Sequence, residues 1–120
     1  MKYRPSTEGE EILKQDYRKK IIFSREDFDE KGHLLQVVTI PPHTRQRAHF
    51  HHKQTEVFYI LKGEATLTIN GVDYPARAGD AFICSPGDVH HVWNKTASEF
   101  KLVVFKINLP EEGEDSHWLE

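Results

Sequence analysis

Three histidines and one glutamate carry the clearest chemistry in this chain. His49-Phe50-His51 sets two imidazoles one residue apart, and Glu56 follows five residues after His51. On a strand, residues 49 and 51 point to one side and residue 50 to the other, so both rings can reach one ion. Glu56 opens the run Glu-Val-Phe-Tyr-Ile-Leu, and Phe58 and Ile60 share its face. A carboxylate on an otherwise apolar face is costly unless it is paired or bound to a metal. His90 lies far along the chain, just after Pro86-Gly87-Asp88, and a barrel can bring it beside the first cluster. Five of the eight histidines fall in the clusters 49–52 and 90–91. His52 and His91 have the opposite strand parity to His51 and His90 and read as bystanders. Three imidazoles with a carboxylate suit one divalent transition metal, with Mn, Fe, Co, Ni, Cu and Zn all compatible. One or two coordination positions stay open, as a Lewis-acid site requires.

Strands must position these groups. The segments 18–24, 33–40, 56–61 and 100–107 are rich in β-formers. Segment 64–69 alternates, with Ala65, Leu67 and Ile69 on one face and Thr66 and Thr68 on the other. Asn70-Gly71 follows at once, a strong signal for a tight hairpin returning through 72–76. Segments 80–84 and 90–94 complete the series, with turn chemistry at Lys62-Gly63, Ala78-Gly79-Asp80 and Pro86-Gly87-Asp88. Many short strands with regular turns predict an all-β sandwich or barrel over residues 21–109. Residues 1–20 read as an N-terminal arm, or as a short helix over 10–20 with Ile12 and Leu13 facing inward. Residues 110–120 read as an acidic tail, pinned by Trp118 and Leu119.

The 120 residues fit one domain, and the single Cys84 cannot form a disulfide within the chain. The net charge of −3 lacks the basic stripe that nucleic acid would require. No run approaches the length of a membrane span, and the polar N-terminus lacks the apolar core of a signal peptide. The expectation is a cytoplasmic protein that binds neither nucleic acid nor membrane.

The motif His49-x-His51-x4-Glu56-x6-Gly63 resembles the first signature of the cupin superfamily. The motif Gly79-x5-Ser85-Pro86-Gly87-x2-His90-x3-Asn94 resembles the second. The first signature often begins with Gly where this chain has His43, and the second usually has Pro where it has Ser85. Both departures concern turns rather than ligands. The resemblance implies a double-stranded β-helix, a jelly-roll barrel of two facing sheets. It implies a metal near one open end, held by His49, His51, Glu56 and His90, and so selects His51 over His52 and His90 over His91. It also implies a homodimer, for which the arm and the Val57, Tyr59 and Leu61 face are candidate contacts.

Around the metal, Phe58 and Phe82 have the parity of cavity residues. His43, Arg45 and Arg47 share the parity of His49 and His51 if that strand extends back. A guanidinium at the mouth would favour an anionic small-molecule ligand. The expected function is a small metalloenzyme acting on an oxygen-bearing metabolite by dioxygenation, isomerisation or decarboxylation. With Glu56 taken as a ligand, the sequence offers no obvious general base. The alternative is a non-catalytic module that binds a sugar or other small metabolite.

Overall fold

Alternating apolar positions and Gly-centred turns fold this chain into two facing antiparallel sheets. A computed structural model describes residues 1–119. Its strands, in chain order, are β1 (Glu11–Leu13), β2 (Arg18–Phe23), β3 (Leu34–Ile40), β4 (Thr44–Arg45), β5 (His49–His51) and β6 (Thr55–Lys62). They continue with β7 (Glu64–Ile69), β8 (Val72–Arg77), β9 (Ala81–Cys84), β10 (His90–Asn94), β11 (Phe100–Ile107) and β12 (Ser116–Trp118). One sheet runs β1-β2-β3-β11-β6-β9 and the other β12-β5-β10-β7-β8, with β4 also paired to β10. This is the jelly-roll barrel expected, and its one helical piece among the described residues is a 3-10 turn at Arg25–Asp27.

The inward faces of both sheets meet in one core. Val38, Ile40, Phe58, Ile60, Leu102 and Val104 come from the first sheet, and Leu67, Ala76 and Val92 from the second. The outward parity of β6 leaves Tyr59 and Leu61 exposed.

Turns fix the register. At the β7–β8 hairpin, Asn70 has φ 51° and Gly71 φ 79°, the two positive values a tight type I′ turn needs. Gly63, between β6 and β7, has φ +85°, and a Cβ there would lie 2.6 Å from the Glu99 carbonyl oxygen. A side chain at this position would force the β6–β7 turn away from the start of β11. Asn94, fully buried, closes the far turn by donating to the carbonyls of Ile40, Pro41 and Ser98 and accepting from Thr96.

The flanks join the sheets. Residues 10–20 do not form the helix that the sequence admitted; they fold as the β1–β2 hairpin, and Leu13 is exposed rather than inward. The Lys14 N–H donates to the Tyr17 carbonyl across that turn. The buried Asp16 carboxylate accepts from the Arg47 backbone N–H at 2.7 Å, tying the hairpin to the segment before β5. The acidic segment at the other end feeds β12, which pairs with β5 in the register Ser116↔His51 and Trp118↔His49.

Candidate metal centre

Strand β5 supplies His49 and His51 on one face, with Phe50 on the other. Strand β6 supplies Glu56 from the opposite sheet, and β10 supplies His90, paired directly with His49. All four side chains are buried, and their ligand atoms lie within 4.8 Å of one another. Among the described residues this is the one group of His, Cys, Asp and Glu with that geometry.

The ring orientations follow from backbone carbonyls. His49 Nδ1 lies 3.2 Å from the Arg47 carbonyl, His51 Nδ1 3.0 Å from the Asp115 carbonyl, and His90 Nδ1 2.9 Å from the Asp88 carbonyl. A carbonyl only accepts, so each Nδ1 carries a proton and each Nε2 faces the interior, where it can bind an ion or, protonated, donate to Glu56. Glu56 Oε1 sits 2.5 Å from His51 Nε2 and 3.1 Å from His90 Nε2. The three Nε2 atoms and the Glu56 carboxylate converge on one point, so a proton or a metal cation must lie between them. The donor set fits a divalent transition metal, and the carbonyl partners are the outer support that fixes ligand histidines.

The protein groups alone show the same demand. Burial, and after it the neighbouring His90 charge, pushes the His49 imidazole down to about 3. Burial also opposes charge on His90, yet hydrogen bonds to Cys84 and Glu56 carry it up to about 10. For Glu56, burial opposes ionisation, but His51 and His90 hold the carboxyl well below its usual range. One positive charge therefore belongs beside Glu56, in a site that the rest of the core would make apolar.

A cavity of about 40 Å³ opens at the four ligands. Phe58, Ile40 and Val92 form apolar wall, while Tyr17, Gln36, Gln46, Lys106 and Ser116 bring polar groups. Trp118 closes one side, its ring centroid 4.5 Å from that of His49. Burial, then the negative charges of Glu114, Asp16 and Glu56, push the Tyr17 phenol up to about 12, so it stays protonated.

Of the other candidate ligand-contacting residues, Phe58 lines the cavity and four do not. His43 sits on an exposed turn with φ 53°. Arg45 faces Trp93 across the β4–β10 pair. Arg47 places its guanidinium 4.3 Å from the Trp118 ring centroid, with Nε 3.4 Å from Asp16. Phe82 packs against the core beside Tyr74. Arg45 and Arg47 would share the face of His49 and His51 only on one continuous strand, and residues 46–48 break it between β4 and β5. Gln46 takes the lining position instead, its N–H donating to the Val92 carbonyl. Tyr17, Gln36 and Lys106 carried no motif that could have found them, whereas Trp118 was the aromatic end of the tail.

Comparison with known proteins places the chain in a family. A model of the cupin domain matches residues 36–106. An oxalate-binding protein of Thermotoga maritima is 33% identical over 88 residues, covering 72% of this chain and 73% of its own. A 3-hydroxyanthranilate 3,4-dioxygenase of Xanthomonas oryzae pv. oryzae is 30% identical over 92 residues, and the match spans 72% of this chain and half of that enzyme. A crystal structure from Thermotoga maritima, described as a predicted oxalate decarboxylase, superposes with a TM-score of 0.80 at 27% identity, covering 90% of this chain and all of that one.

Proposed function

The chain belongs to the cupin domain family, and from that premise we propose that it is a metal-dependent enzyme acting on a small oxygen-bearing anion at His49, His51, Glu56 and His90. The observation that carries this reading is the set of three Nδ1–carbonyl bonds, which turn three Nε2 atoms toward the Glu56 carboxylate. A divalent ion held there supplies a Lewis acid with open positions for two oxygens of a bound metabolite. Lys106, in the cavity wall, favours negative charge on that metabolite. Tyr17 offers a phenol proton to it, and Trp118 and Phe58 keep bulk water away. The relatives named for oxalate and for a dioxygenase are consistent with a bidentate oxygen donor. The reading extends to a cytoplasmic homodimer, paired through the outward Tyr59 and Leu61 face of β6.

One observation favours a second reading, a binding module without turnover. Outside the four ligands, the cavity wall holds no carboxylate, imidazole or thiol among the described residues, and its phenol titrates near 12. One experiment separates the two. The protein, loaded with its native ion identified by elemental analysis, is titrated with oxalate by calorimetry and then assayed for carbon dioxide release. Oxygen uptake with catechols, diketones and flavonols is followed in parallel. Turnover that His49→Ala abolishes supports the enzyme. Binding without turnover favours the module, and absence of both contradicts the metal-centred ligand site.

A further inference from the structure

A second cavity, of about 180 Å³, lies against the metal cavity. Gln36, Lys106 and Ser116 line both spaces. Its most unusual occupant is Gln54, 1% exposed, whose amide oxygen and nitrogen both lack a partner among the described residues. The Gln36 amide oxygen, on a residue 4% exposed, is likewise unpartnered. Buried amides left unpaired are rare, because each loses its hydration and gains nothing in return. A polar chamber of this kind holds either ordered water or the polar end of a ligand.

The charges around the chamber favour one kind of ligand. Arg25 is committed to the carbonyls of Pro110 and Gly113. The Asp115 carboxylate accepts from the backbone N–H groups of His52, Lys53 and Gln54. That leaves Lys19 and Lys106 against Glu114. The two ammonium groups repel: burial lowers the Lys19 pKa, and Lys106 lowers it further. An anion between them would relieve that repulsion, and the Gln54 amide would complete its hydrogen bonding. The unpartnered amide oxygens of Gln36 and Gln54 need a donor, which a hydroxyl supplies.

Resting on the metal-centre reading above, we propose that the second cavity is a subsite for the distal carboxylate of a hydroxydicarboxylate whose other end chelates the metal. Lys106 stands at the junction and contacts the tail from the side shared by both cavities. The ligand is thus longer than oxalate, and Gln54 and Lys106 set that preference.

The test uses full-length protein loaded with Mn²⁺, with malate and oxalate as probes in calorimetric titrations. Malate is expected to bind at least tenfold more tightly than oxalate. Gln54→Leu, which borders the second cavity alone, should cut malate affinity about tenfold while leaving oxalate affinity within twofold, and Lys106→Met, which borders both cavities, should weaken both ligands, malate more than oxalate. Gln36→Leu supplies an independent variant, expected to weaken malate more than oxalate because Gln36 also borders the metal cavity. Because Gln54→Leu removes two unpaired polar atoms, its thermal midpoint should equal or exceed that of the parent. Equal affinity for malate and oxalate, with Mn²⁺ bound, would overturn the subsite alone and leave a chamber of water. Unchanged malate affinity in the folded variants would overturn it as well. Failure of the parent protein to bind Mn²⁺ at all would instead strike the metal centre, and this proposal with it.

Discussion

The His51 ring Nδ1 donates to the backbone carbonyl of Asp115, 64 residues later, at 3.0 Å. The same residue accepts through its carboxylate from the N–H groups of His52, Lys53 and Gln54. One residue of the C-terminal segment therefore orients the ring of a candidate metal-site histidine and holds the turn that follows it. Strand β12 continues the contact, laying Trp118 beside His49.

Deleting residues 115–120 should weaken metal binding without unfolding the barrel. His51 would lose the partner that holds its ring, and losses of such support cost about 10–100-fold in metal affinity. Competition against a chromophoric chelator measures the change, and circular dichroism checks that the sheets persist. Unaltered affinity in the folded truncation would show that β12 merely covers the site.

Acid should release this segment in a defined window. Burial opposes ionisation of Asp115, but three backbone N–H donors hold its carboxyl at about 2, below the ordinary 3.8. A depressed carboxyl contributes its full stabilisation above the unfolded value and loses it as pH falls through the folded one. The β12 contact should therefore hold above about pH 4 and fail as pH falls toward about 2. Tryptophan fluorescence reports the change through Trp118. Asp115→Asn should flatten the profile across that window, and an identical profile in the variant would disprove the assignment.

His43 occupies a backbone conformation that suits glycine, with φ 53°. The left-handed region costs an L-residue roughly 1–2 kcal/mol. Glycine's greater freedom in the unfolded chain offsets roughly 0.5–1 kcal/mol of the relief. His43→Gly should raise stability by about 0.5–1 kcal/mol, read from urea denaturation midpoints. No change in metal content should accompany it, since His43 is exposed and does not line the cavity.

The convergence of His49, His51, Glu56 and His90 was legible because strand parity is local. Residues 49 and 51 share a face in any strand, and the two signatures bring β5, β6 and β10 together in a known register. His43 in a glycine conformation shows that one departure from the signature kept its turn. Other features depended on pairing between distant segments. Trp118 reaches His49 only because β12 adds to β5, a pairing of a short strand that no periodicity announces. Tyr17 reaches the cavity because Asp16 anchors the β1–β2 hairpin to Arg47. The same anchor and the break at 46–48 turn the Arg47 guanidinium onto Trp118, where extrapolated parity had placed it at the mouth. Residues 10–20 could be read as an arm or as a short helix because their apolar residues are too few to reveal a period, and the pairing of β2 with β3 decides the outcome.

The proposed function stands on His49, His51, Glu56 and His90 holding one metal ion. Elemental analysis of the purified chain, paired with His90→Ala and Glu56→Gln variants shown to be folded, tests it most directly. About one divalent transition-metal ion per parent chain is expected, with little or none in either variant. A parent chain that neither carries nor takes up an ion, or folded variants that retain it fully, would rule out this metal centre.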